Sequence, residues 1–290
     1  MSELTLINGI PESTISIRDR GLAYGDGLFE TIAIIDNVAH NWNLHFQRLT
    51  VGAKRLKITL PDEQDLLEGL KFFSQQRKKD KYIVKIILTR GEGGRGYQCP
   101  ENQLSNWVML SNPWPEYSDE YYLNGIDIQQ LDFQLAVQPA LAGIKHLNRL
   151  EQVVAKQSLE QGYQEALLSN TSGYIIEGIS SNVYFVKRGI LFIPSLNDSG
   201  IEGTMRTQII TLCQQLNIKF KIADLNLKVI NESEEVFYSN SIIGLWPVKK
   251  ISLLNKDEKY FQVGKIYLKL AKIINTQLRH PLGTKLGTDY

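Results

Sequence analysis

The chain reads as a mixed α/β (α+β) protein of two domains, and three observations predict it. Its 290 residues exceed one average domain, taken at roughly 150 residues. Apolar residues switch repeatedly between a period of two and a helical period along the whole length. A proline-punctuated break, Asn112-Pro113-Trp114-Pro115-Glu116, falls where neither a helix nor a central strand can continue. The expected division is an N-terminal α/β domain over 1–112, a connecting segment over 113–124 and a C-terminal α/β domain over 125–290.

The elements follow in order. Residues 4–7 form a strand candidate running into Asn8-Gly9, a strong hairpin dipeptide. Residues 29–35 form a second, ended by Asp36-Asn37. Helical spacing then takes over at Leu44, Leu49, Ala53 and Leu56, and again at Leu66, Leu67, Leu70 and Phe73 after Pro61-Asp62. Strands return at 82–88 and 106–110. Beyond the break come short strands to about 137, a helix over 148–161 and alternating strands over 165–194, with turns at Thr171-Ser172-Gly173 and Arg188-Gly189. A strand over 235–238 and helices over 204–216 and 260–276 complete the reading, and the last dozen residues look like a tail.

Composition excludes several function classes. Apolar residues make up 43% and charged residues 22%, ordinary for a globular chain. Lysine and arginine total 32 against 31 acids, so the net charge is 32 − 31 = +1. Nucleic-acid and membrane-surface binders usually show a basic excess, so neither partner is expected. No apolar run reaches the length of a membrane span, and the first residues lack a secretory pattern, so a cytoplasmic enzyme is expected. Two cysteines and four scattered histidines give neither a disulfide scaffold nor a metal-binding cluster.

Several residues have the chemistry of a carbonyl-handling site. Lys145 lies between Ile144 and Leu147. Most loop lysines are solvated, but one flanked by apolar side chains has a lowered pKa and a free amine that attacks carbonyls, as in Schiff-base lysines. Gly200 to Arg206 precede an amphipathic helix whose first N–H groups have no internal partners and suit an anion such as phosphate; a plain turn capped by Thr204 has the same sequence. Ser239-Asn240-Ser241 adds small donors at a strand end. Glu177 ends an apolar strand, where a carboxylate either forms a structural ion pair or keeps a heterocyclic nitrogen protonated. Arg48 shares a helix face with His45. The loop over 89–97 carries four glycines around Arg95 and can present a guanidinium to a carboxylate.

In this order the motifs resemble the fold-type IV pyridoxal-phosphate enzymes, a family that includes branched-chain and D-amino-acid aminotransferases and aminodeoxychorismate lyases. The shared marks are Asp19-Arg20-Gly21, the run from Tyr24 to Thr31, His45-Phe46-Gln47-Arg48-Leu49, Ile144-Lys145, Glu177-Gly178, Asn182-Val183-Tyr184-Phe185 and the helix start from Gly203 to Arg206. The stretch Ala142 to Gln152 and the loop Arg90 to Tyr97 are similar to the lyase members, whereas the aminotransferases usually place serine or threonine after the lysine.

The resemblance implies a two-domain fold with pyridoxal 5'-phosphate at the domain interface and a homodimer. It also implies roles for matching positions. Lys145 would hold the cofactor and then move protons, Glu177 would pair with the pyridinium nitrogen, and Thr31 would place a hydroxyl nearby. Arg48, the N–H groups of Thr204 and Met205, and the Ser241 hydroxyl would hold the phosphate. Arg95, Arg149 and Tyr97 would meet the substrate carboxylates. The implied reaction eliminates pyruvate from 4-amino-4-deoxychorismate, giving 4-aminobenzoate for folate synthesis. A branched-chain or D-amino-acid aminotransferase is the first alternative, and a catalytically silent binding relative the second.

Overall fold

The computed structural model describes residues 4–77, 80–93, 96–101 and 104–280. By contacts the chain forms two compact units, one of residues 1–115 with Ile144–Arg149, the other of Glu116–Gly143 with Leu150–Tyr290.

The first unit contains β1 (Leu4–Ile7), β2 (Ile10–Pro11), α1 (Arg20–Tyr24), β3 (Gly27–Ile35), β4 (Val38–Ala39), α2 (Trp42–Leu56), α3 (Glu63–Gln76), β5 (Lys81–Thr89) and β6 (Asn106–Pro113). Its six strands lie in the order β2-β1-β6-β5-β3-β4, every pair antiparallel. Strand alternation sets the layers: Leu28, Glu30 and Ile32 of β3 are buried while Phe29 and Thr31 are half-buried on the opposite face. Glycines bring both helices close to the sheet. A Cβ on Gly52 of α2 would lie 2.9 Å from the Leu28 side chain, and one on Gly69 of α3 would lie 2.8 Å from Met109 Sδ. Of the helically spaced apolar residues, Leu49, Ala53, Leu66, Leu70 and Phe73 are buried, Leu44 and Leu56 are half-buried and Leu67 is exposed. Each buried leucine or phenylalanine contributes about 1.5–3 kcal/mol through burial.

The second unit contains α4 (Asp119–Leu123), β7 (Ile126–Leu135), α5 (Leu150–Ser158), β8 (Glu165–Asn170), β9 (Ile175–Glu177), β10 (Asn182–Lys187), β11 (Ile190–Pro194), α6 (Thr204–Gln215), β12 (Phe220–Ala223), α7 (Lys228–Glu232), β13 (Glu235–Asn240), β14 (Gly244–Ser252), β15 (Glu258–Tyr260) and α8 (Lys265–Gln277). Its sheet runs β12-β11-β10-β13-β14-β7-β8-β9, with β15 on β14. The β11–β12, β14–β7 and β7–β8 pairs are parallel. Val183 to Val186 and Val236 to Tyr238 are all buried, so β10 and β13 read as continuous apolar runs rather than alternating ones. Tyr184 stacks on Phe237 at 4.9 Å between ring centroids.

Several elements differ from expectation. The short strands expected before residue 137 are one strand, β7, bent by a register shift between Gln130 and Gln134. The helix expected over 260–276 begins only at Lys265, because Tyr260 pairs with Lys250 in β15. Regular structure reaches Pro113 and resumes with α4 at Asp119, inside the segment expected to connect the domains. The lysine segment, expected within the C-terminal domain, groups with the first unit because its backbone pairs with β3.

Candidate active site

Lys145 is placed by backbone pairing. Strand β4 covers β3 only at Ile34 and Ile35, leaving the other edge of β3 open at its start. Residues 145–147 fill that edge: Phe29 N–H donates to the Lys145 carbonyl at 3.0 Å, and Leu147 N–H to the Gly27 carbonyl at 2.9 Å. The close approach requires glycine at 27, since a Cβ there would meet the Leu88 carbonyl and, at 2.8 Å, Leu147 Cδ1. Lys145 Nζ then sits 4.2 Å above the centre of the Phe29 ring. Thr31, two residues on, shares that face of β3.

The opposite face of β3 carries an ionic cluster. Glu30 accepts from Arg48 Nε at 2.8 Å and Nη2 at 2.5 Å, and pairs with His45 Nδ1 at 2.5 Å. Burial pushes the Glu30 carboxyl up, but the Arg48 charge and hydrogen bonds outweigh it and hold the group well below the usual carboxylate range. Burial lowers His45, with Glu30 pulling the other way. His45 Nε2 is buried and has no hydrogen-bond partner among the described residues.

The motif between α1 and β3 is structural. Asp26 accepts from Arg20 Nε at 2.9 Å and from Arg90 Nε and Nη2 at 2.7 and 2.9 Å. Arg90 also caps α2 by donating to the carbonyls of Leu56 and Lys57, both at 2.8 Å. Arg20 donates to the carbonyls of Gly96, at 3.1 Å, and Gln98, at 3.4 Å. That holds the end of the glycine-rich loop. Tyr97 is exposed, its ring 5.6 Å from that of Tyr24. Arg95 lies outside the described residues. Arg149 approaches His146, with Nη2 at 2.6 Å from Nε2. Burial, reinforced by the Arg149 charge, pushes the His146 imidazole down to about 4, so it is a neutral acceptor at physiological pH.

In the second unit, one end of the sheet gathers the remaining residues. Glu177, buried at the end of β9, accepts from Ile201 N–H at 2.9 Å. Gly200, at φ +83°, permits this; a Cβ there would lie 2.5 Å from Ile176 Cγ2. Asn182 Nδ2 donates to the Ile201 carbonyl at 3.0 Å. Asn182 also pairs with Ser239 across β10 and β13, so the turn bearing Ser241 lies at the same sheet end. Helix α6 starts there with Gly203 as an N-cap that makes no side-chain bond, and Thr204 and Met205 are buried in its first turn. The first N–H groups of a helix lack internal partners.

Each unit taken by itself carries donors that fit a part of pyridoxal phosphate. A glycine-capped helix start with a hydroxyl turn suits a phosphate, a buried carboxylate suits a basic ring nitrogen, and an amine over an aromatic ring suits a carbonyl. Glu165 carries no signal in the sequence, whereas Glu30, Asn182 and Asn240 fall within the shared motifs or the Ser239-Asn240-Ser241 turn without a role of their own. Glu30 had a signal, since His45 and Arg48 share a helix face and needed a counter-charge.

Comparison with known proteins agrees with this chemistry. The amino-transferase class IV family model matches residues 27–251. The chain belongs to that family. It is 32% identical to an aminodeoxychorismate lyase from Vibrio harveyi over 272 residues, covering 93% of this chain and 99% of that protein. The crystal structure of 4-amino-4-deoxychorismate lyase from Pseudomonas aeruginosa superposes with a TM-score of 0.87 at 35% identity, covering 95% of this chain and 99% of that one. A branched-chain aminotransferase from T.th., solved with pyridoxamine 5'-phosphate, shares the fold at a TM-score of 0.82 and 21% identity, covering 96% of this chain and 95% of that one. Among the described residues no helix is long and apolar enough to cross a membrane, and no cluster of acidic, histidine or cysteine side chains suits a metal.

Proposed function

We propose that this chain catalyses the pyridoxal-phosphate-dependent elimination of pyruvate from 4-amino-4-deoxychorismate, leaving 4-aminobenzoate for folate synthesis. The observation that carries the reading is the likeness to lyases over nearly the full length, in sequence and in structure. The placement of Lys145 and Glu177 supports it. The two products account for every atom of the substrate, so no second amino acceptor is needed.

When bound, pyridoxal phosphate supplies a carbonyl that joins the substrate amine and a ring that takes up electron density. Lys145 is the residue that would hold that carbonyl and, once displaced, would act as the base at the substrate carbon bearing nitrogen, a role that requires a neutral amine. Glu177 would accept the hydrogen bond of the ring nitrogen and so favour its protonated form. Arg48, the Thr204 and Met205 N–H groups and the Ser241 hydroxyl hold the phosphate; buried Met205 serves through its backbone alone. Thr31 sets a hydroxyl on the Lys145 side of β3. Arg149, Arg95 and Tyr97 bind the substrate carboxylates.

The same reading makes the protein a cytoplasmic homodimer. Large apolar side chains on the first unit support a second copy: Ile17, Leu22, Leu104 and Tyr97 are all exposed. Cys99 and Cys213, both free thiols, suit a reducing compartment.

The test is incubation of cofactor-loaded protein with 4-amino-4-deoxychorismate and no keto acid, following 4-aminobenzoate by fluorescence and pyruvate with a coupled dehydrogenase. Equimolar products, absent with Lys145→Ala, are expected. Half-transamination of an ordinary amino acid in their place would make the chain an aminotransferase.

A further inference from the structure

The turn that follows Glu177 is held by a carboxylate from another strand. Glu165, the first residue of β8, is buried. Its Oε1 accepts from the N–H groups of Ala166 at 3.0 Å and Ile179 at 2.7 Å. Its Oε2 accepts from Ser180 N–H at 3.3 Å and from the hydroxyls of Ser180 and Ser181, both at 3.0 Å. Among the described residues no cation pairs with it. A buried carboxylate must be compensated, and here four of its five donors come from one turn.

That turn is tightly built. Gly178 N–H donates to the Ser181 carbonyl at 2.7 Å, and a Cβ on Gly178 would lie 2.8 Å from Glu165 Cδ. Asn240 then carries the network onward. Its Nδ2 donates to the Ser180 carbonyl at 3.2 Å and to Ser181 Oγ at 3.3 Å. Its Oδ1 accepts from the N–H groups of Ile242 and Ile243, both at 2.9 Å, which shapes the turn bearing Ser241. One continuous hydrogen-bonded path thus runs from Glu165 to the residues on either side of Ser241, and the turn it grips begins immediately after Glu177.

We propose that Glu165 is a positioning residue, which fixes the 178–181 turn and thereby the direction of Glu177 and, through Asn240, of Ser241. The proposal rests on the reading of Glu177 and Ser241 as partners of the cofactor's ring nitrogen and phosphate. Charge-assisted bonds are stronger and more directional than neutral ones, and linked bonds reinforce each other. In Glu165→Gln an NH₂ group replaces one acceptor and opposes backbone N–H donors that cannot rotate away.

The experiment compares the wild type with Glu165→Gln, Ser181→Ala and Glu177→Gln. Each is titrated as apoprotein with pyridoxal phosphate, and each loaded protein is measured by ¹⁵N NMR of the labelled ring nitrogen and by thermal melting. Glu165→Gln should weaken cofactor binding about tenfold, and Ser181→Ala about threefold. Both should move the ring-nitrogen shift part of the way toward that of Glu177→Gln. Wild-type affinity and shift in both variants, whatever their melting temperatures, would overturn the proposal; if Glu165→Gln does not fold, Ser181→Ala decides alone. A wild-type shift in Glu177→Gln would sink the reading of Glu177 and the proposal with it. A displaced shift there, with the other two unmoved, would sink the proposal alone.

Discussion

Glu30 and Arg48 meet as a two-pronged pair, Nε to Oε1 at 2.8 Å and Nη2 to Oε2 at 2.5 Å, with both side chains almost out of solvent. The guanidinium proposed to hold the phosphate is therefore already oriented by the sheet beneath it. Orientation of this kind lowers the entropy lost on binding.

Removing one partner of a buried pair leaves the other charge uncompensated, which costs about 3–5 kcal/mol. Glu30→Gln should lower the denaturant midpoint accordingly. The native carboxyl titrates below its unfolded value, so its contribution is complete above the unfolded pKa, about 4.3, and is lost as pH falls through the native one. As pH falls from roughly 5 toward the native value of about 2, wild-type stability should fall more steeply than that of Glu30→Gln, as read from urea melts at each pH.

Gly27→Ala should separate Lys145 from β3. The added Cβ meets the Leu88 carbonyl and Leu147 Cδ1, and backbone cannot yield as a side-chain tip does. Overpacking of this kind costs about 1–3 kcal/mol. The expected signature is a lower melting temperature together with reduced cofactor content, measured by absorbance after dialysis.

His146 should titrate near pH 4 in the native protein, against 6.5 for an ordinary histidine. Its neutral form is the one the fold favours, so this contribution is present above pH 6.5 and declines as pH falls toward 4. Arg149→Ala should move the ring-proton titration upward by removing the adjacent charge. The same variant should raise KM for the dicarboxylate substrate about tenfold or more.

A stability-only variant gives the contrast. Glu235 accepts from Ile266 N–H at 3.1 Å and Tyr267 N–H at 2.9 Å, capping the start of α8. Glu235→Ala should cost about 1–2 kcal/mol, as lost caps do. Thermal melts should shift while cofactor affinity, read by titration of the apoprotein, stays at the wild-type value.

Much of the fold was legible because its signals are local. The Leu49–Ala53 and Leu66–Phe73 stripes, the Asn8-Gly9 hairpin and the helix start after Gly203 each follow from nearby residues. Helix α1 has no such signal, because five residues carry almost no period. The start of α8 was displaced by β15, whose partner is β14 and not a sequence neighbour in a helix. For the site, Lys145, Glu177 and Arg48 stood out by type and motif. Glu165 did not, because a buried carboxylate is identified by its partners, and those on the 178–181 turn lie 14 to 16 residues along the chain.

The pairing of 145–147 with β3 bears on the order in which the protein is made. Synthesis delivers the whole of β1 to β6 before residues 144–149 emerge. Until then the start of β3 presents unpaired backbone groups, a template for another nascent chain. A fragment ending at Pro115 would retain that open edge permanently. The segment that carries Lys145 is thus also the one whose arrival seals the N-terminal sheet.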